Sequence, residues 1–117
     1  MNKKCAVYSA TDVMSKRWSL LIILELYKGK TRRYSELKRL IPQITPKILS
    51  ARLKELQEFG VVSKKVDSSK MPIRCDYSLT KSGEELIKII KDIKSWSLKW
   101  KVNNKLCESQ DCKDCDF

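Results

Sequence analysis

Residues 44–60, ITPKILSARLKELQEFG, constrain the fold more than any other stretch, because both ends of a helix are written into them. Thr45 can cap the first turn with its side chain, Pro46 fits the first helical position, and Gly60 stands where a left-handed residue closes the last turn. Projected at about 100° per residue, Ile48, Leu49, Leu53, Leu56 and Phe59 fall on one side. Lys47, Ser50, Ala51 and Lys54 fall on the other. The helix therefore needs a core against its apolar side and offers a small, basic face to something else.

The flanking elements complete a recognisable order. AVYSATDVM carries Val7, Ala10, Val13 and Met14 at helical spacing, and WSLLIILELYKG is a nearly continuous apolar run ending at Gly29, the expected left-handed cap. Residues 31–34 are too short and polar for more than a minor strand. Ser35 is expected to cap a brief helix stopped by Pro42. Beyond Gly60, VVSKKV and IRCDYSL read as two strands joined by the turn-rich DSSKMP. In the second strand Ile73, Cys75, Tyr77 and Leu79 alternate with Arg74, Asp76 and Ser78, so one face of the hairpin should be buried. Thr80 then caps a long final helix. No repeat, low-complexity tract or linker separates a second domain. Residues 1–101 are expected to form one domain, with 102–117 a cysteine-containing tail.

The charge falls on the same elements. The chain has 25 Lys and Arg against 14 Asp and Glu, and residues 28–74 hold 13 of the former but only 4 of the latter. Such an excess points to a polyanion. A mainly α chain whose order is helix, helix, short helix, capped basic helix and β-hairpin is a winged helix-turn-helix. The DNA major groove admits one helix with small or hydrogen-bonding side chains, which Lys47, Ser50, Ala51 and Lys54 supply beside the capping Thr45. Lys70 at the hairpin tip and Arg74 beside it are candidates for phosphate or minor-groove contact, as are Arg32 and Arg33 before the turn. Any one basic amphipathic helix is as often merely solvated; the ordered set carries the reading. Arg52 projects onto the flank of the apolar side and is expected to pair with Glu55 or Glu58.

At this point the chain resembles the HxlR-type winged-helix transcriptional regulators of bacteria and archaea. The resemblance runs from Cys5 to about Trp96. It rests on Cys5-Ala6-Val7 with Trp18 eleven residues beyond Val7, on the block LLIILELYKGKTRRYSELKRLIPQITPKILSARLKELQEFGVV, and on PIRCDYSLTKSGEEL. It implies a sequence-specific, double-stranded-DNA-binding regulator. A non-specific architectural chromatin protein shares the charge and fold and is the alternative. Ala6 replaces the family's common proline, and Ser15-Lys16-Arg17 stands where Gly-Gly-Lys is usual. Cys75 replaces a valine and is expected to act as a small core hydrophobe.

The final helix is too apolar for one small core. Leu86, Ile87, Ile89, Ile90, Ile93, Trp96 and Trp100 cover nearly half its circumference, where a single core needs a stripe of about 100°. This predicts a homodimer through the final helix and Tyr8 of the first, as the resemblance also implies, and hence a pseudo-palindromic site. The alternative is that Trp96 and Trp100 fold back on Tyr8 and Met14 of the same chain.

No run of roughly 18 apolar residues spans a membrane, and the N-terminus lacks a signal-peptide core, so a soluble, cytoplasmic protein is expected. In that compartment five cysteines suggest metal or redox chemistry more than a secreted disulfide framework. Cys107, Cys112 and Cys115 offer three thiolates, and Cys5 is a candidate fourth partner. Disulfide pairing, zinc and no special chemistry all stay open, with no other cofactor expected. The resemblance makes Cys5 the redox-sensing position. Catalysis is not expected: the chain has no histidine, and the CKDC pair lies too near the end to open a helix as thiol oxidoreductases require.

Overall fold

A computed structural model describes residues 5–69 and 71–114. Its elements are α1 (Ala6–Met14), α2 (Ser19–Gly29), β1 (Thr31–Arg33), α3 (Tyr34–Leu40), α4 (Pro46–Phe59), β2 (Val62–Asp67), β3 (Arg74–Leu79), α5 (Lys81–Trp100), α6 (Lys105–Ser109) and a closing 3-10 turn, Cys112–Asp114. The order is that of a winged helix-turn-helix with a small antiparallel sheet. α2 lies at the centre: Ile22, Ile23 and Leu26 are fully buried and meet Leu37 of α3, Leu49, Leu53 and Leu56 of α4, Val62 and Tyr77 of the sheet, and Ile87 and Ile90 of α5. Burying side chains of this size stabilises by about 1.5–3 kcal/mol each before the entropy of ordering them is counted.

The helix ends of α4 form as their residues dictate. The Thr45 hydroxyl accepts from the Ile48 amide, Pro46 opens the helix, and Gly60 adopts φ +89°. Thr80 caps α5 in the same way through Gly83 N. Cys75 packs against the core as a small hydrophobe.

Several expectations are corrected. The wing is not a bare hairpin: the minor strand allowed at residues 31–34 forms as β1 and joins it in the order β1-β3-β2, pairing Thr31 with Ser78 and Arg33 with Asp76. Three polar residues form it because β3 offers an open edge, which local pattern does not reveal. The left-handed residue after α2 is Lys30 (φ +63°), not Gly29. A Cβ at Gly29 would lie 2.2 Å from Nε of Arg32, so a larger residue there would displace the guanidinium from Glu25. The N-cap of α3 is Arg33, and Ser35 is already helical. Ile73 precedes β3 and is exposed, so the buried face of the wing begins at Cys75.

The C-terminal segment folds back rather than trailing away. Asp111 receives the Tyr27 hydroxyl at 2.9 Å and the Lys91 ammonium at 2.7 Å, while Lys94 Nζ donates to the carbonyl of Gln110 at 2.6 Å. Tail, α2 and α5 are thus tied together.

Candidate nucleic-acid interface

The exposed side of α4 is built from its neighbours. Tyr34, the first residue of α3, donates its hydroxyl to the carbonyl of Pro46 at 2.9 Å and accepts from Ser50 Oγ at 3.3 Å. One phenol therefore sets the first turn of α4 against α3. On the other flank Glu55 joins Arg52 (2.6 Å) and Lys16 (2.9 Å), bracing α4 to the segment after α1. The Lys16 ammonium, then the Arg52 guanidinium, hold the Glu55 carboxyl below its ordinary range. Arg52 is engaged with Glu55 as its projection predicts.

Lys47, Ser50 and Lys54 are exposed on one face of α4 with Ala51 half-buried between them, and Thr45 lies exposed at its start. Neither lysine is in an ion pair among the described residues, so both charges face solvent. Arg33 is exposed at the foot of α3. The other arginines are placed differently. Arg32 turns toward α2, donating from Nε to the Glu25 carbonyl at 3.2 Å, with its guanidinium 3.8 Å from the Glu25 carboxylate and 3.9 Å from that of Glu36. Arg74 places Nε 3.1 Å from both oxygens of Asp76. Each is half-buried, and its charge is balanced within the protein. Lys70 lies outside the described residues.

Tyr34 was missed in the sequence because neither periodicity nor charge marks it. Its role depends on a backbone carbonyl twelve residues away.

On α5, Ile89, Ile93, Trp96 and Trp100 are between 48% and 64% exposed, and Val7 of α1 is 69% exposed. Trp96 and Trp100 therefore do not bury themselves against Tyr8 and Met14. Tyr8 is half-buried, and Leu86 packs on the core. Ile90 is corrected: it turns inward beside Ile87, 9% exposed, and belongs to the protomer's own core rather than to an outer surface.

Cys5 is exposed immediately before α1, whereas Cys107 and Cys112 line an apolar hollow of about 360 Å³ with Leu24, Ile90, Leu98 and Val102. All three are unpaired thiols. Cys115 lies outside the described residues, and among those described no three metal-ligating side chains cluster. No helix among them is long and apolar enough to cross a membrane.

Residues 13–105 match the HxlR-like helix-turn-helix family. The chain is 41% identical over 91 residues to the Bacillus subtilis HTH-type transcriptional regulator YvaP, covering 78% of this chain and 82% of YvaP. Among solved structures, the reduced form of YodB from B. subtilis matches with a TM-score of 0.73 at 32% identity, over 82% of this chain and 92% of that one. The redox regulator HypR in its oxidized form matches with a TM-score of 0.73 at 30% identity, over 84% and 99%. With the fold, the capped basic helix and the wing in agreement, the chain belongs to the HxlR-like family of helix-turn-helix transcriptional regulators.

Proposed function

We propose that this regulator binds a specific pseudo-palindromic DNA site as a homodimer and that thiol oxidation modulates its binding. The observation that carries the DNA reading is the face of α4: two solvent-facing lysines flank Ser50 and Ala51 on a helix anchored by Tyr34. A helix held on both flanks presents its side chains in one register, as base readout requires. Ser50 is a defined reader. Its hydroxyl hydrogen is directed to Tyr34, which leaves its lone pairs to accept from a base amino group, on adenine N6 or cytosine N4. Lys47 and Lys54 suit guanine edges or phosphates, and Arg33 a flanking phosphate. Arg32 and Arg74 are secondary, since each must leave a carboxylate to reach DNA.

The homodimer rests on the exposed apolar stripe of α5 together with Val7. Leaving two tryptophans and two isoleucines in water on a monomer is unfavourable and invites association. Thiol modulation rests on the exposure of Cys5 and on the redox behaviour named for HypR.

Selection from a random duplex pool tests the specific-site reading. A motif with two half-sites one helical turn, or a multiple of it, apart is expected, with affinity falling steeply as salt rises. Lys47→Ala should weaken the selected site by about 1–3 kcal/mol while changing random DNA less. Enrichment of nothing beyond base composition would instead favour an architectural protein. Intact mass before and after mild oxidation tests the thiol reading: loss of paired hydrogens in wild type but not in Cys5→Ser is expected. DNA affinity unchanged by oxidation would remove that part of the proposal.

A further inference from the structure

A second concavity lies away from the α4 face, where the end of α2, the sheet, the first half of α5 and the docked tail meet. It has a volume of about 640 Å³. Lysines reach it from three parts of the chain: Lys30 after α2, Lys88 and Lys91 on α5, and Lys113 in the tail. The floor is apolar, formed by Leu26, Leu79 and Ile87, of which Leu26 and Ile87 are buried. Glu84 is the only carboxylate in the lining among the described residues.

The charges in this concavity are only partly answered by the protein. Asp111 takes Lys91 from the side, and Lys113 lies over the Tyr27 ring at 5.8 Å. Lys30, Lys88 and Lys113 have no ion pair among the described residues, and the Ser78 hydroxyl has no hydrogen-bond partner there. Like charges gathered over an apolar floor repel one another and favour an anion between them.

The backbone adds an independent sign. Lys30 is held at φ +63°, ψ −54°, a conformation that glycine adopts without strain and lysine does not. Strained positions of this kind cluster at binding sites, where the side chain's placement offsets their cost.

We propose that this concavity binds a small organic anion. Its carboxylate or phosphate is held by Lys30, Lys88 and Lys113, and its apolar body lies on Leu26, Leu79 and Ile87. The volume falls within the range of small-molecule sites, about 300–1,000 Å³. A duplex backbone suits the site less well, because a phosphate chain has no use for an apolar floor. The ligand touches α2, the sheet, α5 and the tail at once. If α5 forms the dimer as proposed above, ligation shifts the angle between α5 and the DNA-reading elements, and with it the separation of the two α4 helices. That consequence rests on the DNA-binding reading; binding of the anion does not.

The test is a titration of the isotope-labelled full chain, free of DNA, followed by amide chemical shifts. The probes are phenyl phosphate and benzoate, inorganic phosphate as charge without body, and benzyl alcohol as body without charge. Saturable shifts at Lys30, Ser78, Lys88 and Lys113 are expected with at least one organic anion, with the two control probes binding about tenfold more weakly. Lys30→Gln and Lys88→Gln should each weaken the organic anion about fivefold. No saturable shift, equal binding of inorganic phosphate, or indifference to both substitutions overturns the site. Duplex DNA shifting these same amides also overturns it, reassigning them to the phosphate backbone. DNA binding is measured separately on the same sample. Its absence beside saturable anion binding counts against the regulator's proposed DNA site alone, and intact DNA binding without anion binding counts against the concavity alone.

Discussion

Tyr34 decides how α4 is held, and it does so with one oxygen. The hydroxyl donates to Pro46 and accepts from Ser50, so it spans the turn between α3 and α4 and orients a candidate base-reading side chain at the same time. Tyr34→Phe keeps the ring and deletes both bonds. A stability loss of about 1 kcal/mol is expected in urea denaturation, together with weaker binding to the selected DNA site. Coincident denaturation midpoints for the two proteins would show that the hydroxyl holds nothing. Residues such as Thr45, Gly60 and Thr80 were legible in the sequence because a cap acts within three or four positions of itself. Tyr34 was not, because its partners belong to another helix. For the same reason Arg32 and Arg74 read as phosphate candidates from charge alone, whereas Glu25, Glu36 and Asp76 claim them in the fold.

At the scale of elements, the junction between α4 and α5 joins the proposed reading helix to the long helix. The Gly60 carbonyl, at the end of α4, accepts from Thr80 Oγ1 at 2.6 Å and Ser82 Oγ at 2.9 Å, and Thr80 N donates to the Val61 carbonyl at 3.0 Å. Gly83 completes the contact: a Cβ there would stand 2.2 Å from the Val61 oxygen. Helix propensity alone would favour Gly83→Ala, because glycine is a poor interior helix residue. The close approach reverses that sign, and the substitution is expected to destabilise by about 1–3 kcal/mol. A thermal melt that stays put or rises would show that the two segments separate without cost. The capped ends of both helices were legible in sequence. Their mutual contact was not, nor was the pairing of the minor strand Thr31–Arg33 with β3, which depends on the open edge of β3.

Across the whole molecule the tail latch ties the C-terminal segment to α2 and α5, and the exposed apolar stripe of α5 is the proposed dimer surface. The Lys91 ammonium, the Lys113 amide and the Tyr27 hydroxyl hold the Asp111 carboxyl far below its ordinary range, and Asp111 with Tyr27 holds Lys91 above its own. A depressed acid stabilises the latch above its unfolded pKa and loses that effect as pH falls through the folded value; a raised base stabilises it below its unfolded pKa and loses it as pH rises through the folded value. The latch therefore contributes its full stability between about pH 4 and pH 10, and that contribution declines only progressively beyond those limits. The protection of the tail amides, taken relative to their intrinsic exchange rate at each pH, should stay flat across that window in wild type and be lower throughout it in Asp111→Asn. Equal exchange in both would discard the latch. On the other side of α5, Ile93→Glu combined with Trp96→Glu is expected to give a folded monomer by light scattering, where wild type is expected to be a dimer. A wild-type monomer at micromolar concentration would instead leave the stripe without its proposed role.

The amino-acid order by itself determined the kind and succession of the principal helices, the wing hairpin, the caps that bound α4 and α5, and the small basic face of α4. These follow from periodicity and from bonds closed within a turn. Only the tertiary structure decided which charges stay solvent-facing, that Ile90 belongs inside, that the tail returns to α2, and that lysines from three distant places share one hollow. The physical reason is range. A helix or cap is settled by neighbours along the chain, whereas a charge or an apolar side chain is settled by whichever partner the fold brings within a few ångströms of it.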